Sequence, residues 1–289
     1  MEQRGLRMTE KKTLQGKVAI VTGATSGFGK AIAFGLAKHG VSIAGCASHA
    51  DFLESTAAEI TRETGSSARF FQVDIREEAS AQLIIDSTME AFGRIDIVII
   101  NAGAAKRFEK PYLELPLSEV ASTMREQYEQ FAVHTTLLAL AAAKEMVSLY
   151  KDIGLDEMGH VKDSGNIIVN LGAVAFQPIR DDLLAYGAAK RAAVHIIMSM
   201  AGVFGQYNIR VNGIAPGYAN TERPRKFYER VPQIRADIGK HNIIKPAFQH
   251  PASVVSAILY ILQDHYLTGE FIRLDGGWHL RFNRYFNMK

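Results

Sequence analysis

Cysteine is almost missing: the 289 residues contain one, Cys46. A single thiol excludes an internal disulfide framework and fits a reducing compartment, so a cytoplasmic location is expected. A large excess of either charge is missing too. There are 33 Lys and Arg against 30 Asp and Glu, a formal net charge of +3, which argues against a nucleic-acid partner. No apolar run has membrane-spanning length, so no membrane partner is expected. The first dozen residues, MEQRGLRMTEKK, lack the apolar stretch of a secretory signal. Residues 1–13 are therefore expected to be a flexible leader. Prolines number only eight. Without a repeat, a low-complexity segment or a linker, 14–289 reads as a single domain. No metal site is expected.

Apolar residues are plentiful, 47% of the chain, enough for a sizeable core. The stretch 17–40, KVAIVTGATSGFGKAIAFGLAKHG, organises the rest. Residues 17–22 suit a buried parallel strand. Residues 23–29 form a glycine-rich turn, and Ala31, Ile32, Phe34, Leu36 and Ala37 recur at helical spacing up to a cap at Gly40. Strand, glycine turn and helix make a place for a pyrophosphate, because small residues admit close approach and the helix start offers free N–H groups. A plain strand-to-helix turn would use the same glycines.

Further strands are expected at 41–46, 69–73, 95–100, 166–171, 209–214 and 270–275. Helices are expected at 51–64, 77–92, 117–151, 184–206 and 251–262, with a polar excursion over 148–165. Residues 223–250 read as irregular or helical. This alternation predicts an α/β, doubly wound Rossmann fold: a seven-stranded parallel sheet with helices on both faces. Ligands of such sheets bind beyond the carboxyl ends of the strands. Gly23, Asp74, Asn101, Gly172 and Pro216 all fall at those ends.

From 17 to 278 the sequence resembles the short-chain dehydrogenase/reductase family. The resemblance rests on TGATSGFG at 22–29, VDI at 73–75, NAG at 101–103 and YGAAK at 186–190. RVNGIAPGYANT at 210–221 and TGEFIRLDGGW at 268–278 complete it. It implies a nicotinamide cofactor, a small-molecule substrate, and a homotetramer or homodimer. It also implies cofactor contacts from Gly23, Thr25, Ser26, Gly27, Phe28 and Gly29, from Asp74 and Ile75, and from Asn101, Ala102 and Gly103. Pro216, Gly217 and Thr221 follow, with Thr221 at the nicotinamide carboxamide. Asp74, by contrast, could simply cap the following helix.

Tyr186 and Lys190 stand four apart on a helix and share a face. An ammonium beside a phenol favours the phenolate, and a phenol so tuned can exchange a proton with a carbonyl oxygen or an alcohol. The resemblance makes Tyr186 the proton donor and lets Lys190 hold the ribose as well. After the second strand, at Ala47 and Ser48, no acidic residue is present to repel a 2′-phosphate. Ser48 and His49 could donate to one, so NADP(H) is favoured over NAD(H).

Two departures from the family pattern fall in one site. The family serine thirteen residues before the tyrosine is here Ala173, and the family asparagine of the long helix aligns with His134. His134 is either a proton shuttle to Lys190 or a buried hydrogen-bonded histidine. Gln177, Arg180 and Asp181 are candidate substitute donors. A lid at about 218–250 carries Phe227, Tyr228 and Phe248, which suit an apolar pocket. Its surplus of lysines and arginines would suit an acidic or phosphorylated substrate, and a solvated helix face explains it more cheaply. The expected function is NADP(H)-dependent interconversion of a ketone and a secondary alcohol. A dehydratase, isomerase or cyclase on the same scaffold, and a non-catalytic cofactor-binding protein, are the alternatives.

Overall fold

The structure is a computed structural model that describes residues 14–176 and 181–280. The expected leader 1–13, and the candidates Gln177 and Arg180, lie outside the described residues, as does the side chain of Asp181. Seven parallel strands form one sheet: β1 (Val18–Thr22), β2 (Ser42–Ala47), β3 (Ala68–Gln72), β4 (Ile97–Ile100), β5 (Gly165–Asn170), β6 (Ile209–Pro216) and β7 (Phe271–Leu274). Their order is β3-β2-β1-β4-β5-β6-β7, as the doubly wound reading predicts.

The sheet is buried on both faces because successive side chains alternate between two cores. Ile20, Val98, Ile100, Ile167 and Val169 point into one. Ala19, Val21, Ile97, Ile99 and Ile168 point into the other. Helices α1 (Gly27–Ala37), α2 (Leu53–Thr64) and α9 (Ser253–Gln263) cover the second face. On the first lie α3 (Ser80–Phe92), α5 (His134–Tyr150) and α6 (Leu184–Phe204). Strand order reverses between β1 and β4, which pair from Ala19↔Ile97 to Val21↔Ile99. A crevice therefore opens at their carboxyl ends.

The long helix expected at 117–151 runs as α4 (Leu117–Tyr128), a π turn (Glu129–Val133) and α5. At 34 residues, Leu117–Tyr150 is, by length and composition, long and apolar enough to cross a membrane. That corrects the reading that no such run exists; here Leu138, Ala139, Ala142 and Met146 bury themselves against the sheet. The lid segment contains α7 (Glu222–Arg230) and α8 (Pro232–His241). Asp74 does not cap α3. Its Oδ1 accepts the Arg76 N–H at 3.0 Å and its carbonyl accepts Glu77 N at 3.1 Å, so a turn delays the helix to Ser80.

Candidate active site

Polar groups at the ends of β1, β4 and β5 tie the strand tips together. Thr22 Oγ1 accepts the N–H groups of Asn101 and Ala102, both at 2.8 Å. Asn101 Nδ2 donates to the Thr22 carbonyl at 3.0 Å, and its Oδ1 accepts Asn170 Nδ2 at 2.9 Å. Lys190 Nζ donates to the Asn170 carbonyl at 2.8 Å. Lys190 is thereby linked to the glycine turn through two asparagines. Each bond satisfies a group that would be costly to bury alone.

The turn is built for close approach. Gly23 and Gly27 adopt φ of +67° and +55°, a region L-residues avoid. A Cβ on Gly29 would lie 2.0 Å from the Gly23 carbonyl oxygen. Ser26 precedes α1 in an extended conformation and its side chain makes no capping bond. The first N–H groups of α1 are thus left to an anion, and the turn fits a dinucleotide pyrophosphate.

Beyond the turn lies a cleft of about 390 Å³. Phe28, Gly103, Pro216, Gly217, Thr221 and Tyr186 all reach it. Ala173 lies in a short 3₁₀ turn after β5 and lines it as well. From the lid side come Tyr218, Phe227, Tyr228 and Trp278. Phe248 lies behind Tyr228, ring centroids 5.3 Å apart. The lid cations Arg225, Lys226, Arg230, Arg235, Lys240 and Lys245 are exposed.

Phe131, presented by the π turn, sets the Tyr186 and Lys190 geometry. Its ring meets Tyr186 edge-on at 5.1 Å, and Lys190 Nζ lies 4.0 Å from its centroid. Gly103, at φ +139°, makes room for it, because a Cβ there would come within 2.2 Å of the ring. Lys190 is 6% exposed. Burial pushes its amine down to about 7. Burial also pushes the Tyr186 phenol up to about 12, opposed by the charge of Arg107. This corrects the expectation that Lys190 lowers the phenol: burial dominates, and the charge that opposes it is that of Arg107.

Other expected residues lie elsewhere. His134 is buried, and among the described residues neither ring nitrogen has a hydrogen-bond partner. It lines a cavity of about 10 Å³ with Thr22, Ile75 and Ala102, room for about one water. Among the described residues no hydrogen bond joins it to Lys190; Glu129 Oε1 lies 3.9 Å from its Nε2. Thr25 and Ser26 complete the glycine turn, while Ser48 and His49 are exposed after β2. The Asp74 carboxylate is held by Arg76 Nε and Nη2 at 3.0 and 2.5 Å. Arg76 holds it below the usual carboxylate range, and His49 is near enough to add to that. Sequence reasoning missed Phe131, Asn170, Trp278, Arg76 and Arg107. Only Trp278 stood in a recognised motif.

Residues 17–231 match the family model described as short chain dehydrogenase. The chain belongs to this family. A D-threitol dehydrogenase of Mycolicibacterium smegmatis is 32% identical over 270 residues, 93% of this chain and 95% of that protein. A 7α-hydroxysteroid dehydrogenase, solved with NADH and 7-oxo glycochenodeoxycholic acid, has a TM-score of 0.78 at 28% identity. The match covers 91% of this chain and 94% of that one. The (+)-cis,trans-nepetalactol synthase of Nepeta racemosa is 27% identical over 273 residues, 92% of each chain. Membership of the short-chain dehydrogenase family places the protein among oxidoreductases.

Proposed function

We propose that this short-chain dehydrogenase interconverts a ketone and a secondary alcohol with NADP(H), Tyr186 serving as the acid–base group. One observation carries the reading: a phenol stands in a largely apolar cleft just beyond a glycine turn that fits a dinucleotide. The turn, Thr221 and the Asn101 region would hold the cofactor, which when bound supplies a hydride to the carbonyl carbon or accepts one from the alcohol. Tyr186 holds the substrate oxygen and gives it the phenolic proton as the carbon is reduced. A phenol near 12 keeps its proton at neutral pH. It is still a far stronger acid than an aliphatic alcohol, which favours the reductive direction. Lys190, near 7, can take up and return a proton at working pH. Aromatic walls from Tyr218, Phe227 and Trp278 exclude water from the reacting carbonyl.

The preference for NADP(H) is supported by Ser48 and His49 and by the nearby Arg76, with no acidic side chain closing β2. Titration calorimetry should give a lower Kd for NADPH than for NADH. Oligomerisation as a homodimer or homotetramer is part of the same reading.

Tyr186→Phe should lower kcat/KM for ketone reduction by about 10²–10⁴-fold, with NADPH binding kept. Unchanged turnover would refute the role. Ala173 places a methyl where the family carries a hydroxyl donor, so Tyr186 holds the oxygen with less help. Ala173→Ser should raise the rate; abolished activity would mean that the alanine makes room for another substrate group. That second case favours a non-redox enzyme, a reading also supported by similarity to a protein named as a synthase. Product mass separates the two, since only reduction adds two hydrogens.

A further inference from the structure

We propose that Arg107 recognises a carboxylate on the substrate, a specificity role that rests on the reading of this cleft as the substrate site. Among the described residues that line the cleft, Arg107 is the only one with a formal charge. It sits in the loop after β4, four residues past Gly103. Its guanidinium is held from two directions. Nη1 donates to Asp182 Oδ2 at 2.7 Å, and the group lies 4.3 Å from the Phe227 ring centroid. Asp182 belongs to the 3₁₀ turn that leads into α6, and Phe227 to α7. The fork is thus fixed between the element that carries Tyr186 and the lid.

That arrangement leaves an edge over. A guanidinium offers five N–H donors, and among the described residues Nε and Nη2 donate to none. These two groups point the same way and match the two oxygens of a carboxylate. A latch between lid and α6 would need only the Asp182 and Phe227 contacts. The spare edge is what points to a ligand, and the side chain is 34% exposed, open to the cleft. Arg107 and Tyr186 line the same cleft, so a group bound at one belongs to the molecule whose carbonyl meets the other. An oxo acid follows as the substrate class, with an apolar body between carbonyl and carboxylate to suit Ala173, Val174 and Leu183.

The test uses linear oxo acids of increasing length, levulinate, 5-oxohexanoate and 6-oxoheptanoate, each paired with its methyl ester. Two readouts are taken on the full chain with NADPH present: kcat/KM, and quenching of Trp278. That residue lines the cleft and is the single tryptophan of the sequence. The wild type should prefer at least one acid over its ester by about tenfold or more, the margin a charge-assisted hydrogen bond commands. Arg107→Met should bring acid and ester together by weakening only the acid, mainly through KM. Asp182→Asn removes the neighbouring carboxylate and should widen the preference. The proposal is overturned if the wild type does not distinguish acid from ester. It is equally overturned if Arg107→Met weakens both alike, as a pure latch would, or if Asp182→Asn narrows the preference. Quenching needs no turnover, so an acid preference in binding without reduction would sink the redox reading and leave Arg107 as the anchor. Reduction of esters and acids alike would do the reverse.

Discussion

At the scale of single residues, Gly29 has no space for even a methyl group. A Cβ there meets the backbone oxygen of Gly23 at 2.0 Å, and a carbonyl inside a tight turn cannot step aside as a flexible side chain can. Gly29→Ala should therefore open the turn, costing about 1–3 kcal/mol and weakening NADPH binding at least tenfold by calorimetry. Gly239 is the control. It lies within α8, and among the described residues nothing comes within 4 Å of its would-be Cβ. Gly239→Ala should raise stability by about 0.5–1 kcal/mol and leave binding alone. Chemical denaturation of both variants checks the pair. Gly29 was legible from sequence because its spacing to Gly23 and Gly27 carries the geometry. Arg107 was not, because nothing in its neighbours shows that a cation after NAG faces a cleft rather than solvent. The partners of Lys190 were hidden for a similar reason. Asn170 and Phe131 lie 20 and 59 positions away in sequence, and only the sheet and the π turn bring them to it.

Elements were more legible than their interruptions. The strands announce themselves because a parallel sheet buries both faces, so β4 reads as an unbroken Val and Ile run and β1 and β5 are rich in both. The π turn did not, since one extra residue in a turn leaves an apolar pattern nearly intact. Its effect is large, because it presents Phe131 to α6 and helps to dehydrate Lys190. This has a consequence for α6 as a folded element. Lys190 falls from 10.5 when unfolded to about 7 in the fold. Below about pH 7 both states carry the charge, and folding bears the full cost of desolvating it. Between about 7 and 10.5 the unfolded chain holds a proton that the folded one has shed, so stability rises with pH across that window. Lys190→Met should be the more stable protein at pH 6, by a few kcal/mol at about 1.4 per pKa unit. About one of these is offset by the lost bond to Asn170. Its advantage should shrink steadily from pH 7 to 9. Urea melts of both proteins at matched pH measure the difference, in which all other titrating groups cancel. An advantage that holds constant with pH would show that Lys190 stays charged in the fold.

Across the whole molecule the two ends of the sheet do different work. The carboxyl end is apolar cleft and glycine turn; the amino end is pinned by charge. Asp96, 1% exposed, accepts the Val18 N–H at 2.8 Å and the Arg94 guanidinium at 2.8 and 2.6 Å, and takes further bonds from Tyr150 and Lys17. Asp96→Asn strips the charge from a buried cluster, which should cost about 3–5 kcal/mol in a denaturant melt while leaving NADPH affinity unchanged, since the cluster lies at the far end of the strands. The outer surface carries the other whole-molecule feature. On α6, His195, Met198, Ser199, Gly202 and Val203 are exposed at helical spacing along one stripe. Met198 and Val203 are 52% and 56% exposed, and α5 adds Leu140 and Leu149. Small and apolar residues in a row on a surface helix are what a self-complementary interface uses. Light scattering should therefore give a mass that is a multiple of the 31.8 kDa chain. The double variant Met198→Glu, Val203→Glu places like charges face to face across a two-fold axis. It should run as a smaller species with unchanged circular dichroism. A wild type that runs at the mass of one chain at micromolar concentration would show that this stripe is simply solvated.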